Sequence, residues 1–173
     1  MDTFFALLEH ADRLIGRALD FTVIALTGLL LLLLNYAVFA RFVLNDSVSW
    51  GEELPAHILA MLTFIGAAYL TRNNEHLGFD AVVSVLPGRL KSLVMCANLI
   101  LMAGFGAMLA YYGSIAAISF GTRQLISLDL PVALFRGAMP VGGALITLFC
   151  LIRLLSLLCG RISADDLLPE SDS

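Results

Sequence analysis

The sequence predicts an all-α integral membrane protein with four transmembrane helices, and three observations carry that expectation. Of 173 residues, 60% are apolar and only 14% charged, against about 45–50% and roughly 25% in soluble domains. The mean hydropathy is +0.92. The apolar residues fall into four long runs, with the Lys, Arg, Asp and Glu residues gathered between them. Such a chain has too little polar surface to cover a water-soluble globule. Disordered, collagen-like and disulfide-stapled classes are excluded as well, since they need low hydrophobicity, a Gly repeat or many cysteines.

Residues 1–17 come first. Phe4, Leu8, Ala11 and Ile15 recur at helical spacing, while Glu9, Asp12, Arg13 and Arg17 fall elsewhere. That pattern suits either a helix lying in the membrane interface or a cytoplasmic extension of the first span. Phe21–Ala40 is a 20-residue uncharged run, about 30 Å long as a helix and so matched to a bilayer core. It is longer than a signal-peptide core and ends without a small-x-small cleavage site, so we read it as retained. Leu54–Thr71 gives a second uncharged run of 18 residues, with Pro55 and His57 near its start. Ser92–Thr122 is uncharged over 31 residues; a helix of about 46 Å must tilt, bend or leave the membrane early. Gly104, Gly106 and Gly113 offer places to bend. The fourth run, about Val132 to Cys159, has its cleanest part between Arg136 and Arg153, which can snorkel to the two interfaces. Backbone polar groups find no water in hydrocarbon, so all four runs must be helical. The expected organisation is a helix over 1–17 and a four-helix domain over 18–160, with spans at about 18–42, 53–72, 90–121 and 132–159. An acidic tail follows over 161–173.

The net charge of −4 belongs to that tail. Asp165, Asp166, Glu170 and Asp172 account for it, and ten acids then face ten Lys plus Arg. With no basic stripe, nucleic acid is excluded as a partner. Seven of the Lys and Arg residues fall on the side of the N-terminus, the 72–91 loop and the tail, and three (Arg41, Arg123, Arg136) on the other. The positive-inside rule therefore predicts cytoplasmic N and C termini, with the 41–53 and 123–136 loops outside. Cys96, Cys150 and Cys159 sit in or beside apolar runs and read as packing residues, without a disulfide.

The polar segments carry the candidate functional residues. Ser49 and Glu52 have capping-box spacing, Glu53 complements the helix dipole, and Trp50 reads as an interfacial anchor. Against that structural reading stands a partner- or ion-binding edge. Glu53 and His57 are four apart and share a helix face, but a bundle metal site draws on Glu-x-x-His repeats from several helices, so no metal ligand set is assigned. Bis-His haem ligation fails on distance: His57 and His76 would lie roughly 28 Å apart on one helix. No cofactor is expected. Neither a nucleophile elbow, a zinc helix nor a phosphate loop is present. Catalysis is therefore not expected. Asn35 and Asn98 suggest interhelical hydrogen bonds, and Gly66-Ala67-Ala68 and Gly142-Gly143-Ala144 suggest close helix approach.

Several of these features occur together: Arg41, Ser47-Val48-Ser49-Trp50-Gly51-Glu52-Glu53-Leu54, Gly66-Ala67-Ala68, Arg72, Glu75-His76, Asp80 and Leu86-Pro87. In that order, around the second helix, they resemble the small membrane subunit, DctQ type, of tripartite ATP-independent periplasmic (TRAP) transporters. The likeness covers about residues 15–160. It implies a multi-pass protein of the bacterial inner membrane, working beside a large multispanning membrane subunit and a periplasmic substrate-binding protein, with membrane lipid around it. It further implies a non-catalytic role, bracing the large subunit and helping the binding protein dock during sodium-driven uptake of an organic acid. Arg41, Ser47, Trp50, Glu52 and Glu53 would then mark a periplasmic partner edge, and Arg72, Glu75, His76 and Asp80 a structural or partner-binding cytoplasmic edge. A self-sufficient carrier normally shows midplane charge or broken helices in repeated halves, and neither is evident. The rival readings are a small autonomous exporter and a membrane anchor subunit, haem-bearing or haem-free, of a respiratory redox complex.

Overall fold

A computed structural model describes residues 2–73 and 87–159, apart from the side chains of residues 2–11, 88 and 89. Among the described residues it is all-helical, and four of its helices are long and apolar enough to cross a membrane. These are α1 (Asp2–Phe42), α2 (Glu53–Asn73), α3 (Gly88–Phe120) and α5 (Ala138–Leu158); a single turn, α4 (Ala133–Arg136), precedes the last.

α1 runs unbroken for 41 residues, with no interruption at residue 17. It ends where Asn45 takes a left-handed backbone, φ 53°, and the Asp46 amide donates to the Ala40 carbonyl. Asn tolerates that conformation better than most residues. Pro55 sits in the first turn of α2, where its missing N–H would have had no helical partner. Pro140 explains the break between α4 and α5: it cannot donate to the carbonyl of Arg136, four residues earlier. The fourth predicted span is thus a short turn followed by the spanning helix.

The helices stand in a row. α2 packs against α1 on one side and α5 on the other, and α3 packs against α5. Among the described residues, α1 makes no close backbone approach to α3 or α5. Three apolar clusters occupy the seams. Ala68, Met95, Leu99, Ala103, Ile146 and Cys150 join α2, α3 and α5. Leu19, Ile65, Ala138 and Phe149 form a second, and Ile58, Leu125, Val132 and Phe135 a third beneath the loop between α3 and α4.

Close approach rests on glycine at α5. A Cβ on Gly142 would lie 2.5 Å from the Phe64 carbonyl oxygen of α2, and one on Gly143 would lie 2.6 Å from both the Ala110 nitrogen and the Gly106 oxygen of α3. Adjacent helical residues point about 100° apart, so this pair serves two neighbours at once. The expectation for Gly142 and Gly143 holds. Gly66 differs, since its Cβ position is open; the contact residue of that triplet is Ala68, fully buried. Gly106 and Gly113 lie inside the continuous α3, and a Cβ on either would meet α5.

Candidate functional site

The polar side chains concentrate at the two ends of α2. At its N-terminal end, Arg41 from the end of α1 donates to the Glu52 carboxylate at 2.9 Å. This replaces the expected capping box, because the Glu52 carboxylate is turned to Arg41. The helix itself begins one residue later, at Glu53. An exposed pair of this kind contributes little stability. With its side chain 84% exposed, Glu52 remains accessible from outside.

Glu53 is used differently from its neighbour. Its carboxylate accepts hydrogen bonds from the backbone N–H groups of Ile126 and Ser127, at 3.0 and 2.8 Å, and from the Ser127 hydroxyl. One acid thus holds the loop between α3 and α4 against the start of α2. The loop is also closed on itself, with Leu125 and Val132 amides donating to the Leu130 and Arg123 carbonyls. Leu125 is buried while the neighbouring Ile126 side chain is 99% exposed. Pinning the backbone by an acid and by Leu125 presents Ile126 outward on a fixed frame.

Trp50 stacks on Tyr36 of α1, with ring centroids 5.8 Å apart and planes 8° from parallel. Ser47 is exposed and lines a small cleft of about 120 Å³ with Arg41, Gly51 and Glu52. Of the residues singled out in the sequence near this end, Arg41, Ser47 and Glu52 line one cleft, and Trp50 stacks on Tyr36 of the helix that carries Arg41. Glu53 faces the second loop instead. His57 does not pair with the Glu53 carboxylate; its Nδ1 lies 2.8 Å from the Glu53 backbone oxygen, and its ring meets Phe135 edge-on at 5.2 Å. Among the described residues no three His, Cys, Asp or Glu side chains gather as metal ligands would.

At the C-terminal end of α2, Arg72 donates to Asp12 of α1, with Nη2 3.0 Å from Oδ2. Gly16 makes room for this, since a Cβ there would collide with the Arg72 guanidinium. Arg153 of α5 donates to the Thr71 and Arg72 carbonyls. These are carbonyls in the last turn of α2, where the helix itself supplies too few donors and its dipole favours a cation. Glu75, His76 and Asp80 lie outside the described residues. Asp12, Arg153, Ile126 and Ser127 were not among the predicted site residues, and no local pattern marks them, because their partners are 60 to 82 residues away in sequence.

The two intramembrane asparagines also depart from expectation. Asn35 donates to the Leu31 carbonyl of its own helix at 2.7 Å, and Asn98 reaches the Met102 sulfur, also on its own helix. Asn35 is exposed on α1.

A four-span membrane protein with polar side chains paired at the two ends of α2 is the class these observations define. Residues 30–160 match the family model described as tripartite ATP-independent periplasmic transporters, DctQ component. The chain belongs to that family and is a small permease subunit of a TRAP transporter. It is 24% identical over 167 residues to the sialic acid TRAP transporter small permease protein SiaQ of Vibrio cholerae serotype O1, covering 94% of this chain and 96% of that one. It is 26% identical to the ectoine small permease protein TeaB of Halomonas elongata, over 79% of this chain and 72% of the relative. The C4-dicarboxylate small permease protein DctQ of Vibrio cholerae matches at 27% over 43% of this chain and 32% of its own length.

Proposed function

We propose that this chain is a non-catalytic companion within a TRAP-type secondary transporter, bracing the large membrane subunit and helping to dock the periplasmic binding protein during sodium-driven uptake of an organic acid. The observation that carries the reading is the open row of helices, whose flanks leave long apolar surfaces uncovered. On α1 that surface includes exposed Asn35, whose carboxamide keeps hydrogen-bonding capacity beyond its single bond to Leu31. A polar group at membrane depth is costly against lipid and is ordinarily met by another protein helix. We therefore assign the α1 flank to the large subunit. On the outer edge, Arg41, Ser47, Trp50, Glu52 and the fixed Ile126 form the surface offered to the binding protein. Arg72, with Glu75, His76 and Asp80, belongs to the cytoplasmic edge, and both termini lie in the cytoplasm of a bacterial inner-membrane protein.

The names of the three relatives carry three different solutes at nearly equal identity to this chain. Likeness to a small subunit therefore does not select the solute, as expected if the other components do. No observation favours a redox anchor. The test is reconstitution in proteoliposomes under a sodium gradient. Uptake should require this chain, the large subunit and the binding protein together, and Asn35→Leu should weaken co-purification of the large subunit severalfold. Transport by this chain alone, or full uptake without it, would overturn the proposal.

A further inference from the structure

We propose that the outer end of the α2–α3–α5 face carries a binding site for an anionic phospholipid, with the headgroup phosphate held by Arg136 and Arg123 and an acyl chain laid in the groove below. This rests on the membrane spans alone, and not on the companion role. Arg136 and Arg123 both place their guanidinium carbons over the ring of Phe120, at 4.8 and 5.2 Å from its centroid. Two like charges thus converge on one aromatic ring, and among the described residues neither makes an ion pair with a carboxylate. The arrangement concentrates positive charge without neutralising it.

Arg136 also lines a groove of about 340 Å³ whose other walls are Ala56, His57, Ala60, Phe64, Ala116, Phe135 and Met139. Ala56, Ala60 and Phe64 are successive positions four apart on α2, so the groove descends about 12 Å along that helix. Alanine at Ala56, Ala60 and Ala116 leaves the floor low enough for a chain to lie in it. Position along the span supports the same occupant. Arg136 lies in the first turn of the Ala133–Leu158 span, where a basic side chain can reach headgroup phosphates, and the apolar walls run from it along the span. A guanidinium binds phosphate oxygens through paired N–H donors, and two of them favour a net-anionic headgroup over a zwitterionic one.

The test is native mass spectrometry of the full chain purified in detergent and titrated with dioleoylphosphatidylglycerol, dioleoylglycerol and inorganic phosphate. Phosphatidylglycerol should be retained, and the neutral diacylglycerol should bind at least about tenfold more weakly. The double variant Arg123→Gln/Arg136→Gln should lose phosphatidylglycerol by about tenfold, and Ala60→Leu, which fills the groove without altering charge, should lose it independently. A single monodisperse peak on size exclusion and an unchanged helical circular dichroism spectrum confirm that each variant is folded. Undiminished lipid retention by the double arginine variant overturns the site. Displacement by millimolar inorganic phosphate, or unaltered binding in Ala60→Leu, overturns the lipid as its occupant. So does blocking of the arginines by a soluble acidic periplasmic protein in the absence of any lipid effect.

Discussion

Glu52 and Glu53 are neighbours of identical chemistry with separate tasks, because successive positions at a helix start point in different directions. Glu53 satisfies two backbone amides and a hydroxyl of the loop between α3 and α4. Glu53→Ala removes all three acceptor contacts at once, so amide hydrogen exchange at Ile126 and Ser127 should accelerate by about an order of magnitude while exchange in α5 is unchanged. Glu52→Ala should leave those two amides protected, since its partner is Arg41. The Asp12–Arg72 pair answers to a different measurement. Asp12 and Arg72 are only partly shielded, with side chains 37% and 20% exposed. A double-mutant cycle of Asp12→Asn and Arg72→Gln on thermal unfolding in detergent should therefore give a coupling of about 0.5–1 kcal/mol, in the range of exposed pairs. The individual acids and bases were legible from their positions at the ends of the apolar runs. Their partners were not, because Arg153 and Thr71, or Glu53 and Ser127, meet only when distant helices pack.

Among the helices, α5 is the one most constrained by its neighbours, and glycine is what permits this. Gly143→Leu would drive a side chain into backbone atoms of Ala110 and Gly106, neither of which can rotate away, so α3 and α5 must separate. The expected cost is about 1–3 kcal/mol, as for overpacked cores, seen as a lower unfolding temperature in detergent. Gly66→Ala is the matched control. Nothing lies within 4 Å of that Cβ position, and alanine is the better helix former by up to about 1 kcal/mol, so the unfolding temperature should hold or rise. Both glycines sit in small-residue triplets that look alike on paper. What separates them is which face of each helix is turned toward a neighbour.

At the scale of the molecule, the described helices form a row in which α2 stands between α1 and α5, tied at its N-terminal end through Arg41–Glu52 and Glu53–Ser127 and at its C-terminal end through Asp12–Arg72 and Arg153. Fixing both ends of one inner helix holds the row in register without a closed bundle. Such a row can lie along a larger protein and still expose a face to lipid. Its orientation is open to a direct check. Cys159 is exposed near the end of α5, and Ser47 is exposed in the opposite loop. In a background with the other cysteines replaced, a membrane-impermeant maleimide should label Ser47→Cys in spheroplasts and reach Cys159 only after the membrane is opened. The reverse pattern would invert the proposed topology.

The sequence by itself determined that the chain is helical and which four stretches are long and apolar enough to cross hydrocarbon. Each of these follows from the composition of one continuous stretch, since a run of about twenty apolar residues must satisfy its own backbone wherever it is placed. Only the tertiary structure decided that Gly142 and Gly143 serve two different neighbours, that Gly106 and Gly113 receive α5, and that Asn35 and Asn98 bond within their own helices. It alone brought Ser127 to Glu53 and Asp12 to Arg72. These outcomes depend on the rotation and order of the helices in the row, which arise from many weak contacts between distant segments and leave no mark on any one of them.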